Sequence, residues 1–214
     1  MKLLAINGSP RKTWNTATLL EHACEGAESV GGEARLIHLS DLNFSGCTSC
    51  FACKRLGGNS YGRCAIDDDV TPLLAEIEEV DAVILGSPIY FGAETGLMRN
   101  FMERLLFPYI SYSSGPTLFP KELRAGFIYT MNMKDEDLDD TGLRSRADLN
   151  EFFLHLVYGH AESLFSCDTY QFSDYTLYDS SMFSPTAKKK QYDEIFPKDC
   201  RAAFEMGVRF AEGK

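Results

Sequence analysis

Three stretches carry residue types that could do chemistry: the polar run Ser9-Pro10-Arg11-Lys12-Thr13-Trp14-Asn15-Thr16, the cysteines at 47, 50, 53 and 64, and the run Pro88-Ile89-Tyr90-Phe91-Gly92. The first joins an apolar run, Leu3 to Ile6, to a segment in which Leu19, Leu20, Ala23, Cys24 and Ala27 recur at helical spacing. A loop in that place aims backbone N–H groups and small hydroxyls past the end of a strand, where the following helix adds partial positive charge. A phosphate dianion is its natural occupant. The alternative is an ordinary strand-to-helix turn, rich in Ser, Thr and Asn because these cap helices. Pro88 to Gly92 offers backbone amides and two aromatic rings. Core packing at a strand end is the plain reading of Tyr90 and Phe91, but Pro88 and Gly92 weaken it, since Gly92 permits close approach of a flat ligand.

The elements that must position these stretches follow from periodicity. Strand-like runs at 3–6, 34–39, 82–85, 124–131 and 162–167 alternate with helical patterns. The helices are marked by Leu73, Leu74, Ile77 and Val80, by Leu97, Phe101 and Leu105, by Leu149, Phe152, Phe153, Leu156 and Val157, and at the end by Phe204, Val208 and Ala211, a stripe expected to cover one face of the sheet. This alternation predicts an α/β fold with three layers, a doubly wound five-stranded parallel sheet in the flavodoxin-like order 2-1-3-4-5. In that order the loops after the first and third strands are neighbours at the switch point, where such sheets bind ligands. A phosphate on one and a flat ring on the other describe a mononucleotide with a planar heterocycle. There is no Gly-x-Gly-x-x-Gly in the first turn, so a dinucleotide fingerprint is absent.

The 214 residues read as one domain, 1–214, with a cysteine-containing loop at 40–69 and a C-terminal helical tail at 186–214. Pro108 to Pro120 is a polar connection suited to cover a site, Asp135 to Asp140 a solvated acidic loop, and Lys188 to Lys190 a solvated helix start. The net charge of −10 argues against a nucleic-acid partner, and no long apolar run suggests a membrane. With only Lys2 ahead of the first strand there is no sign of a signal peptide, and a cytoplasmic location is expected. Seven cysteines there do not suggest a disulfide framework. His22 and His155 lie in helix patterns with no serine or cysteine partner for hydrolysis. A Cys-x5-Arg phosphatase loop fails on spacing, since Arg55 comes one residue too soon after Cys50 and both lie beyond the second strand.

Gly8-Ser9-Pro10-Arg11-Lys12 with Asn15-Thr16, and Gly86-Ser87-Pro88-Ile89-Tyr90-Phe91-Gly92, resemble the NAD(P)H-dependent FMN reductases and iron–sulfur flavoproteins of the flavodoxin-like superfamily. The resemblance implies that Ser9, Arg11, Asn15 and Thr16 surround the FMN phosphate and that Pro88, Ile89, Tyr90, Phe91 and Gly92 border the isoalloxazine. Thr130, Met131 and Asn132 fall where the family's third flavin loop lies. Cys47-x-x-Cys50-x-x-Cys53 followed by Cys64 is similar to the motif by which iron–sulfur flavoproteins hold a [4Fe–4S] cluster, with a longer last gap here. Zinc is another reading, and free thiols in a subunit-contact arm, with no metal, a third. No catalytic acid or base is required, because the chemistry lies on the flavin.

The expected activity is transfer from NADH or NADPH through bound FMN to a small acceptor of flavin or quinone type. The alternative is an electron carrier passing electrons to a redox protein without nicotinamide activity, and a third is a nucleotide-binding module without redox chemistry. A homodimer or homotetramer is also implied, with a neighbour's cysteine arm or 108–120 loop closing the flavin site.

Overall fold

The computed structural model describes residues 1–113, 115 and 117–214. Five parallel strands, β1 (Lys2–Asn7), β2 (Glu33–His38), β3 (Ala82–Tyr90), β5 (Leu123–Thr130) and β6 (Gly159–Ser166), lie in the order β2-β1-β3-β5-β6, the expected order of the parallel strands. A two-residue strand, β4 (Ala93–Glu94), turns back antiparallel on the end of β3 and makes a sixth. The chain starts at the centre of the sheet, so the crossovers leaving β1 and β3 diverge to opposite edges and open a crevice between the two strand ends.

Alternation along β1 builds the two halves of the core. Leu4 and Ile6 face the layer of α2 (Thr71–Ile77), α3 (Gly96–Leu106) and α4 (Leu143–Tyr158). Leu3 and Ala5 face α1 (Asn15–Ser29) and α6 (Phe196–Ala211), on which α5 (Pro185–Glu194) rests. Buried on both faces, the central strands read as continuous apolar runs.

Several elements depart from the periodicity reading. β3 runs five residues past Leu85, carrying Pro88 and Tyr90 into the strand, and the expected loop shrinks to a turn at Phe91-Gly92 with positive φ at both residues. On α4, Leu149 and Phe152 are more than half exposed, and Val157 shares the buried face with Leu143, Ala147, Asn150 and Leu154. On α6 the buried stripe is Cys200, Ala203, Met206, Gly207 and Phe210, whereas Phe204, Val208 and Ala211 are only half-buried. Lys188 is not solvated but 4% exposed.

The α6 shift has a packing cause. A Cβ on Gly207 would fall 1.9 Å from the carbonyl oxygen of Ala23, and one on Gly26 would fall 2.0 Å from that of Phe204. The two helix backbones cross in contact, so the face carrying the small residues turns inward and the bulkier Phe204 flanks the crossing. Gly207→Ala is therefore expected to destabilise the protein by about 1–3 kcal/mol through overpacking, read as a lower urea midpoint. An unchanged midpoint would mean that the helices are free to separate.

Candidate functional site

At the carboxyl end of β1 the polar loop is held by its own side chains. Asn7 Oδ1 accepts from the Ser9 N–H at 2.9 Å and Ser9 Oγ from the Arg11 N–H at 3.1 Å. α1 then begins behind an extended Trp14 with no side-chain cap, so its first-turn N–H groups keep the anion-binding character of an uncapped N-terminus. Thr16 Oγ1 meets Thr130 Oγ1 at 2.7 Å, joining this loop to the end of β5.

The third wall comes from the segment after β6. Backbone bonds zip it to the end of β5, with the Asp168 N–H on the Met133 carbonyl at 2.7 Å and the Thr169 N–H on the Met131 carbonyl at 2.9 Å. Its carbonyls then reach the polar loop: Tyr170 O accepts from Trp14 Nε1 at 3.0 Å and Asn15 Nδ2 at 2.9 Å, and Gln171 O accepts from Arg11 Nη1 at 2.7 Å. Asn15 keeps a second N–H and Arg11 four more donors for a ligand.

The result is one cleft of about 290 Å³ at the switch point. Ser9, Arg11, Asn15 and Thr16 line one side, Pro88, Ile89 and Tyr90 a second, and Thr130, Met131 and Asn132, at the end of β5, share the third with the segment after β6. Phe91 and Gly92 lie outside it: Phe91 is fully exposed at the hairpin tip and Gly92 completes the turn, because β3 ends as a hairpin instead of a loop wrapped on the cleft. Trp14, Thr169, Gln171 and Phe172 also line the cleft and escaped the sequence reading. The one trace of them was the aromatic alternation from Tyr170 to Tyr178.

A pre-formed cleft bounded by an uncapped helix start, a strand-end Pro-Ile-Tyr wall and two ordered loops fits a phosphate joined to a flat ring. The sequence profile of the family described as NADPH-dependent FMN reductase matches residues 1–121, more than half of the chain. The chain belongs to the NADPH-dependent FMN reductase family. Two iron-sulfur flavoproteins of Archaeoglobus fulgidus are similar to it, one 43% identical over 104 residues (49% of this chain, 48% of that protein), the other 35% identical over 138 residues (64% and 59%). The chain thus spans about half the length of the curated relatives it matches. Among solved structures, the NAD(P)H:quinone oxidoreductase from Methanothermobacter marburgensis superposes with a TM-score of 0.73 over 98% of this chain and 96% of that one, at 16% identity, a likeness of fold.

The cysteine arm of this FMN reductase family member stands apart from the cleft. Its ends are tied by Arg104, whose side chain is fully buried: Nη1 donates to Asp68 and to Ser45 O at 3.4 Å, Nη2 to Ile66 O at 3.0 Å, and Nε to Cys64 Sγ at 3.3 Å. Lys54 Nζ is held by three carbonyls, Phe107 at 2.5 Å, Pro108 at 3.0 Å and Ile110 at 2.5 Å, and burial draws this ammonium below its usual range. Phe107 meets Phe51 edge-on at 6.0 Å. The 108–120 connection thus packs on the arm of its own chain and, among the described residues, lines no part of that chain's cleft; Ser114 and Pro116 within it lie outside the described residues.

The four thiols do not form a cage as folded. Cys47 Sγ takes the Ser49 N–H and Cys64 Sγ takes Arg104, and among the described residues no three His, Cys, Asp or Glu side chains converge as a metal site. As folded this is not a cubane site, although Cys53, its thiol pushed up chiefly by burial, also feels Cys50 and Cys64. Cys50 is exposed, whereas burial pushes Cys24 and Cys167 up to about 12 and Cys200 up to about 11. Since the thiolate is the nucleophile, iodoacetamide at about pH 8 is expected to label Cys50 first and to spare Cys24, Cys167 and Cys200. Peptide mapping that finds Cys167 labelled as fast as Cys50 would contradict the burial of the β6 end.

Proposed function

We propose that the chain binds FMN in the switch-point cleft and works as an NAD(P)H-dependent oxidoreductase that reduces a small acceptor of flavin or quinone type. The observation that carries this reading is the convergence of the uncapped α1 start, the end of β3 and the 130–132 loop on one cleft in a member of the FMN reductase family. FMN, when bound, supplies the hydride and electron transfer. The chain's part is to hold and orient it. Arg11, Asn15 and Thr16, with the first-turn amides of α1, are assigned to the phosphate, and the Pro88-Ile89-Tyr90 wall and the 130–132 loop to the ring.

The cleft volume lies at the small end of the range of ligand pockets, about 300–1,000 Å³. A ligand of flavin size therefore keeps part of its surface open, which is where a nicotinamide or an acceptor must reach. Among the described residues the cleft wall carries no Asp, Glu or His. Iron–sulfur chemistry, named in the relatives, forms no part of this reading because the thiols do not converge.

Assembly as a homodimer or homotetramer is proposed alongside, supported by the exposed apolar side chains of Leu149 and Phe152 on α4 and of Phe51 and Leu56 on the arm. A monomeric mass at full flavin occupancy counts against it.

The test is the visible spectrum of anaerobically purified protein supplied with FMN, before and after NADPH. A bound-flavin spectrum that bleaches supports the reductase. A flavin that stays oxidised moves the assignment to the electron carrier, and colourless protein removes the flavin reading altogether. A broad added brown absorbance would mean that the arm draws its thiols together around iron.

A further inference from the structure

Among the three lysines that open α5, one behaves unlike the others. Lys189 and Lys190 pair along the helix surface with Asp193 and Glu194, with side chains 63% and 71% exposed. Lys188 points inward, 4% exposed, and its ammonium donates to Asn132 Oδ1, to Asp168 Oδ1 and to the Thr169 carbonyl at 3.4 Å. Phe183 covers it, with Nζ 5.3 Å from the ring centroid. A charge taken out of water is expensive unless paired and hydrogen-bonded, and here the bonds go to two residues of the cleft wall, Asn132 and Thr169.

The pair is directional. Lys188 contacts the cleft wall, while its counter-ion Asp168 lines a separate groove with Asp135 and Asp199 and is partly open to solvent there. The positive end therefore lies toward the cleft and the negative end away from it. The contact also fixes a carboxamide orientation. An ammonium only donates, so Asn132 must give it Oδ1, and the N–H2 is what Asn132 has left to offer a ligand.

Resting on the FMN reading above, we infer that Lys188 is a positioning residue for the flavin ring: it presents the Asn132 N–H2 to the ligand and sets a positive potential on that wall, so that reduced flavin is held more tightly than oxidised flavin. A hydride brings two electrons and one proton, so the ring that accepts it gains one negative charge. A fixed positive charge behind a neutral donor stabilises that added charge in a site partly shielded from water. The phosphate carries the same charge in both states, and a contact to it would leave the ratio of the two affinities unchanged.

The experiment compares FMN-loaded wild type, Lys188→Met and Asp168→Asn by affinity for oxidised FMN and by the two-electron midpoint of the bound flavin. Lys188→Met removes the positive charge and leaves Asp168 unpaired. It is expected to lose at least about tenfold more affinity for reduced than for oxidised FMN, which lowers the midpoint by about 30 mV or more. Asp168→Asn keeps an acceptor for Lys188, and Asn suits the positive φ of 53° at this position. It is expected to raise the midpoint, and it keeps the test decisive if the lysine variant does not fold. A midpoint unmoved in the folded variants, one that moves in the same direction in both, or one that does not rise in Asp168→Asn would make Lys188 a packing residue and overturn the inference. Wild type that binds no FMN is a separate result: it overturns the flavin reading and this inference with it.

Discussion

Everything at the candidate site depends on a close backbone approach where β1 and β3 run out side by side. The Gly8 N–H donates to the Gly86 carbonyl at 2.8 Å, and the Gly8 carbonyl accepts from Thr95 Oγ1 at 2.8 Å. A Cβ on Gly8 would meet Met98 Cβ at 2.7 Å, and one on Gly86 would meet Leu20 Cδ1 at 2.7 Å. Thr95 also takes the Met98 N–H as the cap of α3 and gives its own N–H to Ser87. One contact therefore sets the polar loop, the end of β3 and the start of α3 at fixed distances from one another. The crevice that parallel sheets form at a switch point becomes a cleft of defined width.

The second organising feature is the return of the chain after β6. Bonds from Arg11, Trp14 and Asn15 to the Tyr170 and Gln171 carbonyls join residues more than 150 positions apart, and Lys188 anchors the same segment from behind through Asp168 and Thr169. These contacts close the third side of the cleft without covering it. The cysteine arm is organised independently, around the buried Arg104 and the carbonyl-bound Lys54. The molecule thus keeps two ordered regions on different supports, one the switch-point cleft, the other rich in thiols.

Much of this was legible in the sequence. The strand order follows from alternating apolar runs, and the polar loop and the Gly86 to Tyr90 run announce themselves by residue type at strand ends. The profile match to the FMN reductase family accords with the resemblance read from those motifs. What stayed hidden depends on contacts distant in sequence. Lys188 looks solvated because its partners, Asn132 and Asp168, lie 56 and 20 residues away. The inward face of α6 differs from the expected stripe because Gly207, which with Gly26 lets the two helix backbones touch, carries no hydrophobic signal. The resemblance places Phe91 at the ring; the positive φ that turns it away from this chain's cleft has no mark in an aromatic residue.

We propose that the cleft recognises a phosphate and a flat ring together, the phosphate at the uncapped start of α1. Titrating the apoprotein with FMN and with riboflavin, followed by quenching of flavin fluorescence, tests it directly. Hydrogen bonds to a charged group contribute about 1.5–3 kcal/mol each, so FMN is predicted to bind at least about tenfold more tightly than riboflavin. Equal affinity for the two, or no binding of either, would contradict it.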